Sequence, residues 1–406
     1  MKQFNVPSGY KSNLITAIKQ KRKENDKLKK DFTPTLLDLG NVKIYLARHF
    51  GFCYGVENAI NIAYKTIEEN KGKRIFLLSE MIHNPQVNAD LTKKGVKFLH
   101  DTNGNEIIPL DSLNADDIVM IPAFGTTLEL AARIEEKGIQ IEKYNTTCPF
   151  VEKVWNRSEQ IATKGYSIII HGKPKHEETR ATFSHAASNT PSLIVNDMEE
   201  TIILGKFIEG SLPSSEFEKY FKGRSSANFE PSIHLNKIGV VNQTTQLATD
   251  TQSISDYLKN CIINKYGADH LAEHFADTRD TLCYATNDNQ SAVIGLLQQP
   301  ADLAIVMGGK NSSNSSHLVE LCEQTLPTYF IDDANKIISE REIEKTNWKN
   351  KESQIVTDYL PNKTPVTILM TSGASCPDAV VEAVIQKIAS FYNAGDVLNK
   401  QIHLWE

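Results

Sequence analysis

Cysteine is scarce in this chain, six in 406 residues, which is too few for a disulfide scaffold. No apolar run is long enough to span a bilayer, and the start lacks the apolar core of a signal peptide. The lysine-rich first thirty residues also carry Glu24 and Asp26, whereas organelle transit peptides are poor in acids. The expected setting is a reducing cytoplasm, with no membrane partner. There is no excess of positive charge. The formal net charge is −6 and no basic domain stands out, so nucleic acid is not an expected partner. A Walker A loop, a histidine-rich metal motif and the close cysteine spacing of a zinc finger are all missing.

What is present is ordinary globular composition, 40% hydrophobic and 23% charged, over a length that suggests two to four domains. From Val42 onward, apolar runs of strand length alternate with helical patterns. The runs are Val42–Ala47, Arg74–Leu78, Asp117–Ile121, Ile139–Tyr144, Tyr166–Ile170, Ser192–Val195, Lys237–Val241, Asp302–Met307, Pro327–Ile331 and Pro365–Met370. The helical patterns include Thr127–Lys137, Val151–Lys164, Gln290–Gln299, Ser316–Gln324 and Pro377–Phe391. Such alternation predicts an α/β fold with parallel sheets covered by helices. Residues 1–41 read as an appendage in which Lys11–Lys30 forms a polar, solvated helix. The polar stretch 205–231 reads as an insertion or long surface loop.

Three cysteines share one local setting. Cys53, Cys148 and Cys283 each follow a turn-like stretch, with Gly51, Thr146, Thr147 and Thr281 just before them, and each opens a helical pattern. Exposed N–H groups and the helix dipole favour a thiolate there. Buried, inert thiols are the commoner fate of cysteine. Position argues against that fate here, whereas Cys261 and Cys322 lie within helical runs and fit a core. The reading is three lobes, each giving one thiolate to a shared centre. Three thiolates without histidine suit an iron–sulfur cluster better than zinc, and three ligands would leave one iron of a four-iron cluster open. Cys376, beside Pro377, fits a small residue packed at a turn better than a fourth ligand.

Loops after strands carry the remaining chemistry, because open parallel sheets bind ligands beyond their C-terminal strand ends. His83 lies in Ser79–Pro85, and His176, Glu177 and Glu178 lie in His171–Thr179. Gly308–Ser316 gathers hydroxyls, amides and free N–H groups at a helix start, a setting suited to phosphate. Asn242–Thr245 and Gly373–Asp378 repeat the pattern. A lone histidine is more often structural; two on equivalent loops beside Ser/Asn clusters point toward an anion. One of Glu177 and Glu178 is the candidate proton donor, which requires a carboxyl pKa raised by burial.

GFCYGV, TTCPFVEKV, NQTT, CYATNDNQ, GGKNSSNS and SGASCPD, in this order along the chain, resemble the LytB family of 4-hydroxy-3-methylbut-2-enyl diphosphate reductases. The resemblance runs from about Val42 to Phe391. It implies three similar α/β lobes with small parallel sheets, pseudo-threefold around a central [4Fe-4S] cluster. The lobes would be 42–148, whose first strand packs with the third lobe, then 149–280, with the insertion at about 205–231, and 281–406. It implies Cys53, Cys148 and Cys283 as ligands with one iron open. His83, His176, Thr244, Ser312, Ser313, Asn314 and Ser375 would hold the substrate, with Thr286 as a secondary contact and Glu178 as the catalytic acid. The implied reaction is reductive dehydration of an allylic hydroxy diphosphate to isopentenyl and dimethylallyl diphosphate, the last step of the methylerythritol phosphate route. The implied setting is a monomer in the bacterial cytoplasm, with ferredoxin or flavodoxin as electron donor.

Three departures from the family pattern stand out. Phe124 occupies a loop position where the family usually has a substrate histidine, so a diphosphate contact is lost or taken over by Thr126, Lys173 or Lys175. Glu177 stands where a proline is usual, and Cys376 where a small residue is usual. Two other classes fit three cysteines: a quinolinate-synthase-like dehydratase and a non-catalytic redox sensor. The Ser/Asn loops argue against the first. Glu178 with His176 would have no task in the second.

Overall fold

Runs of β-branched and aliphatic residues form strands buried on both faces, as parallel sheets require. The computed structural model describes residues 4–28, 30–227, 229–276, 278 and 281–405. The described residues divide into two units, the first drawn from 1–61, 82–89 and 284–406, the second from 62–81 and 90–283. The architecture is mixed α/β with several small, mainly parallel sheets.

In the first unit, Val42–Leu46, Val366–Ser372, Leu303–Met307 and Thr328–Ile331 lie side by side and parallel. Thr35–Asp38 closes the edge antiparallel to Val42–Leu46. The register sets Ile44 beside Ile368 and Ile305 beside Met370, so one apolar layer runs across the sheet. Helices Tyr284–Leu296, Ser313–Glu323 and Asp378–Phe391 cover it, burying Val293, Leu318, Val384 and Ile388 among others. A hairpin of Glu342–Thr346 and Ser353–Thr357 forms a sheet of its own, and its Ile343 is buried in the same core.

The N-terminal helix, Asn13–Asn25, departs from the solvated appendage expected. Ser12 caps it, accepting from the Ile15 N–H at 2.9 Å, and Leu14, Ile15 and Ile18 are fully buried in the same core. Three apolar residues at helical spacing outweigh the surrounding lysines, because burying each contributes about 1.5–3 kcal/mol. Thr35–Asp38 belongs to the sheet for the same reason, with Leu37 turned inward.

The second unit holds two parallel sheets. Ile75–Leu77 lies between Lys97–Phe98 and Ile118–Met120. Ser192–Val195, Ser167–His171, Ile238–Asn242 and Phe275–Ala276 form the other, in that order. Pro149–Ala162 and Glu177–Ala187 pack on the four-stranded sheet, as do Met198–Ile208 and Ala248–Tyr266 on its other core. The last two helices approach closely at Gly205, where an added Cβ would lie 2.7 Å from the Tyr257 ring.

Two expectations need correction here. Ile139–Tyr144 is not a strand; Ile141–Tyr144 forms a 3-10 turn. Ile139 and Ile141 are both buried, but a turn buries alternate residues as well as a strand does; among the described residues only the position just after it, Asn145, bridges in parallel to Ile121. Nor is 205–231 an irregular surface loop. Met198–Ile208 continues through Gly205, Phe217–Phe221 is helical, and Phe217 and Phe221 are buried. Phe207 meets Phe217 edge-on at 5.4 Å, and Phe229 stacks on Phe217 at 5.4 Å. Four aromatic rings supply a core that the polar residues between them conceal.

Candidate functional site

The six thiols fall into two groups. Cys261, Cys322 and Cys376 are buried in the cores. Burial pushes the first up to about 11 and the other two up to about 12, so all three are neutral and inert. Cys53, Cys148 and Cys283 are only half-buried. Each directly precedes a helix: Tyr54–Glu69, Pro149–Ala162 and Tyr284–Leu296. The Cys148 carbonyl accepts from the Val151 N–H at 2.9 Å, and the Cys53 carbonyl from the Glu57 N–H at 3.0 Å. At Cys53, burial raises the thiol above its ordinary value, and the N–H groups of Val56 and Gly55 offset part of that rise. Those N–H groups are donors for a sulfur that carries negative charge.

Within the first unit, one backbone ladder gathers the expected residues. The Cys53 N–H donates to Ala374 O at 3.1 Å, and the Ala374 N–H donates to Asn314 Oδ1 at 2.9 Å. Asn289 Nδ2 donates to the same oxygen at 3.3 Å. Asn314 is thus fixed as an acceptor, while its Nδ2 is buried with no hydrogen-bond partner among the described residues. An amide donor kept dry and unspent is a feature that a ligand oxygen would satisfy. Ser312 caps Ser313–Glu323 through the Ser315 N–H at 3.2 Å, and Ser313 is buried behind it. Ser375 Oγ donates to the His83 carbonyl at 3.3 Å. Gly309 lies against that carbonyl so closely that an added Cβ would sit 2.2 Å from it. His83, Ser375 and the Ser/Asn loop therefore form one neighbourhood.

Within the second unit, a similar run joins the others. The Cys148 N–H donates to Ala123 O at 2.9 Å. The next residue, Phe124, meets the His176 ring edge-on at 5.6 Å. His176 caps Glu177–Ala187, its Nδ1 accepting from the Glu178 N–H at 3.2 Å. Glu178 is 2% exposed, and its Oε1 accepts from the Thr244 N–H at 2.6 Å. The Thr244 carbonyl in turn accepts from the Cys283 N–H at 3.1 Å. Thr281 accepts from the Asn242 N–H at 2.8 Å, which holds the cysteine's loop on the end of the strand Ile238–Asn242. Glu177 is also buried; Thr286, which belongs to the first unit, lies buried in the helix Tyr284–Leu296.

Residues 44–389 match the family described as LytB protein. A relative from Microcystis aeruginosa, named 4-hydroxy-3-methylbut-2-enyl diphosphate reductase, is 38% identical over 383 residues, spanning 94% of this chain and 90% of its own. A protein of that name from Trichodesmium erythraeum is 38% identical, spanning 95% and 91%. The chain belongs to the LytB family. The solved structure of the E-1-hydroxy-2-methyl-but-2-enyl-4-diphosphate reductase from Plasmodium falciparum superposes with a TM-score of 0.61 at 22% identity, over 86% of this chain and 88% of that one. At that identity it bears on the fold alone, and the fold agrees.

LytB-family membership implies an iron–sulfur cofactor. The donor set here is compatible with one, since three half-buried thiols each sit at a helix start, where backbone N–H groups can donate to a ligating sulfur. Among the described residues no three His, Cys, Asp or Glu side chains form a ready site for a single metal ion. No described helix of this LytB-family chain is long and apolar enough to cross a membrane.

Two residues within the quoted motifs, Gln243 of NQTT and Asn289 of CYATNDNQ, carried no role in the sequence reading. Gln243 Oε1 accepts from the Lys173 N–H at 3.1 Å, Thr179 Oγ1 at 3.0 Å and Gln246 Nε2 at 3.0 Å. It clamps the loop before Glu178 onto the loop that carries Thr244. Asn289 orients Asn314. An uncharged amide between better-marked neighbours gives no sequence signal of such a task.

Proposed function

We propose that this LytB-family chain reduces (E)-4-hydroxy-3-methylbut-2-enyl diphosphate to isopentenyl diphosphate and dimethylallyl diphosphate. The allylic C–O bond breaks, two electrons and two protons enter, and the oxygen leaves as water. Cys53, Cys148 and Cys283 hold a [4Fe-4S] cluster with one iron free of protein ligands. When bound, the cluster supplies the electrons and Lewis-acid activation of the hydroxyl.

The chain's own residues bind and protonate. Ser312, Ser313, Asn314, Ser375, Thr244, His83 and His176 hold the diphosphate, which fixes the position of the hydroxyl end. Asn314 is oriented to donate, because its oxygen is already spent on Ala374 and Asn289. Glu178 gives the proton to the leaving oxygen. The observation that carries this reading is the run from Glu178 Oε1 through Thr244 to the Cys283 N–H. It ties a buried acid, by one residue's backbone, to a proposed cluster ligand. Buried carboxyls that are aimed and dry are suited to acid catalysis. The chain works as a monomer in the bacterial cytoplasm, fed by ferredoxin or flavodoxin.

The test is anaerobic purification, an iron assay and spectrum, then addition of the hydroxy diphosphate with a reduced viologen. Substrate-dependent dye oxidation with five-carbon diphosphate products is expected. An intact cluster with no turnover would defeat the reading.

A further inference from the structure

The basic start of the chain has no part in the chemistry above. Residues 11–30 hold eight lysines and arginines against two acids, a net +6 in a chain whose total is −6. The helix Asn13–Asn25 buries its apolar face in the first unit and leaves Lys21 and Lys23 exposed. Lys23, Lys27 and Lys30 are exposed and make no ion pair among the described residues.

Lys19 and Lys23, one turn apart, line a cleft of about 210 Å³ together with Arg48, His49, Phe52 and Cys53. Asp288 is the acid in its wall. Arg48 is 7% exposed, and its Nε is buried with no hydrogen-bond partner among the described residues. Its nearest carboxylate, Asp26, is 3.8 Å away. Lys19 spends part of its charge on Asp378 at 2.7 Å; Lys23 spends none. The cleft is therefore a cationic concavity on an acidic chain, and one of its walls is a proposed cluster ligand.

We propose that this face docks an acidic one-electron carrier protein, seated over the cleft so that electrons enter on the Cys53 side. The proposal rests on the reductase reading. Each encounter oxidises the carrier by one electron, and two encounters serve one substrate. The basic residues begin on the last turns of the helix, with Lys19, Lys21 and Lys23, and continue past its end at Asn25 to Lys27 and Lys30, a spread wider than a small anion needs and one that matches a protein surface. Rim charges of this kind steer association and weaken with salt, which suits a partner that must leave after each electron.

The test uses the holoenzyme and an acidic [2Fe-2S] ferredoxin as probe. Binding of oxidised ferredoxin is titrated at low and high salt, and turnover is driven either by ferredoxin or by viologen. The double reversal Lys23→Glu with Lys27→Glu should weaken ferredoxin binding, and lower kcat/KM for ferredoxin, about tenfold. Viologen-driven turnover should stay within about twofold, since a small dye needs no docking surface. Lys23→Gln with Lys27→Gln should lie between wild type and reversal, and keeps the test decisive if the reversal fails to fold. Equal binding by wild type and both variants, or binding indifferent to salt, overturns the proposal. A wild-type enzyme inactive with viologen would defeat the reductase reading instead, and the ferredoxin titration would still decide the docking.

Discussion

The Thr244 N–H donates to Glu178 Oε1 at 2.6 Å. The bond joins the start of one helix to the loop after a neighbouring strand, and it fixes the orientation of the buried carboxyl.

Glu178→Gln keeps an oxygen to accept from Thr244 but loses the transferable proton. Turnover should fall about 100-fold or more, with iron content and substrate affinity retained. Wild-type turnover in this variant would remove Glu178 from the chemistry.

Phe124 packs edge-on to His176 and can neither donate a hydrogen bond nor carry charge. Phe124→His should bind the diphosphate substrate as tightly as wild type, or more tightly, by titration of the anaerobic enzyme. A tenfold or greater loss of affinity would mean that the pocket is rebuilt around the phenyl ring.

Leu14 is fully buried in the sheet's core. Leu14→Ala should cost about 2–5 kcal/mol and lower Tm measurably. An unchanged melting curve would return the N-terminal helix to the role of a loose appendage.

Cys322 and Cys376 are held neutral by burial, with pKa values pushed up to about 12 from an ordinary 9.0. Folded-state pKa values above the unfolded value favour the protonated, folded form. The stability they contribute is complete below about pH 9 and declines as pH rises toward 12. The loss of stability between pH 9 and 11 should be shallower in Cys376→Ala, whose iron content should match wild type. Cys53→Ala, Cys148→Ala and Cys283→Ala should each lose iron. Identical alkaline slopes for Cys376→Ala and wild type would contradict the assignment.

The central strands were legible because parallel strands are buried on both faces and read as continuous apolar runs, as at Leu303–Met307. Ile139–Tyr144 misled because alternate burial does not distinguish a strand from a turn. The N-terminal helix misled because its four basic residues, Lys19, Lys21, Arg22 and Lys23, outnumber its three buried apolar residues. Thr35–Asp38 went unseen because only Leu37 of its two leucines turns inward. In the site, the placement of cysteines at helix starts could be read from turn residues just before them. The backbone ties between loops could not: they depend on which strand ends are neighbours, which Gln243 and Asn289 do not announce.

The sheet of the first unit has a consequence for how the chain is made. Val42–Leu46 emerges early from the ribosome, but its inner neighbour, Val366–Ser372, is translated several hundred residues later. At roughly 5–20 residues per second, the apolar edge waits tens of seconds for its mate. An unpaired strand edge recruits other chains. Thr35–Asp38 pairs only with the opposite edge of Val42–Leu46, so nascent protein depends on a holding chaperone until synthesis is nearly complete.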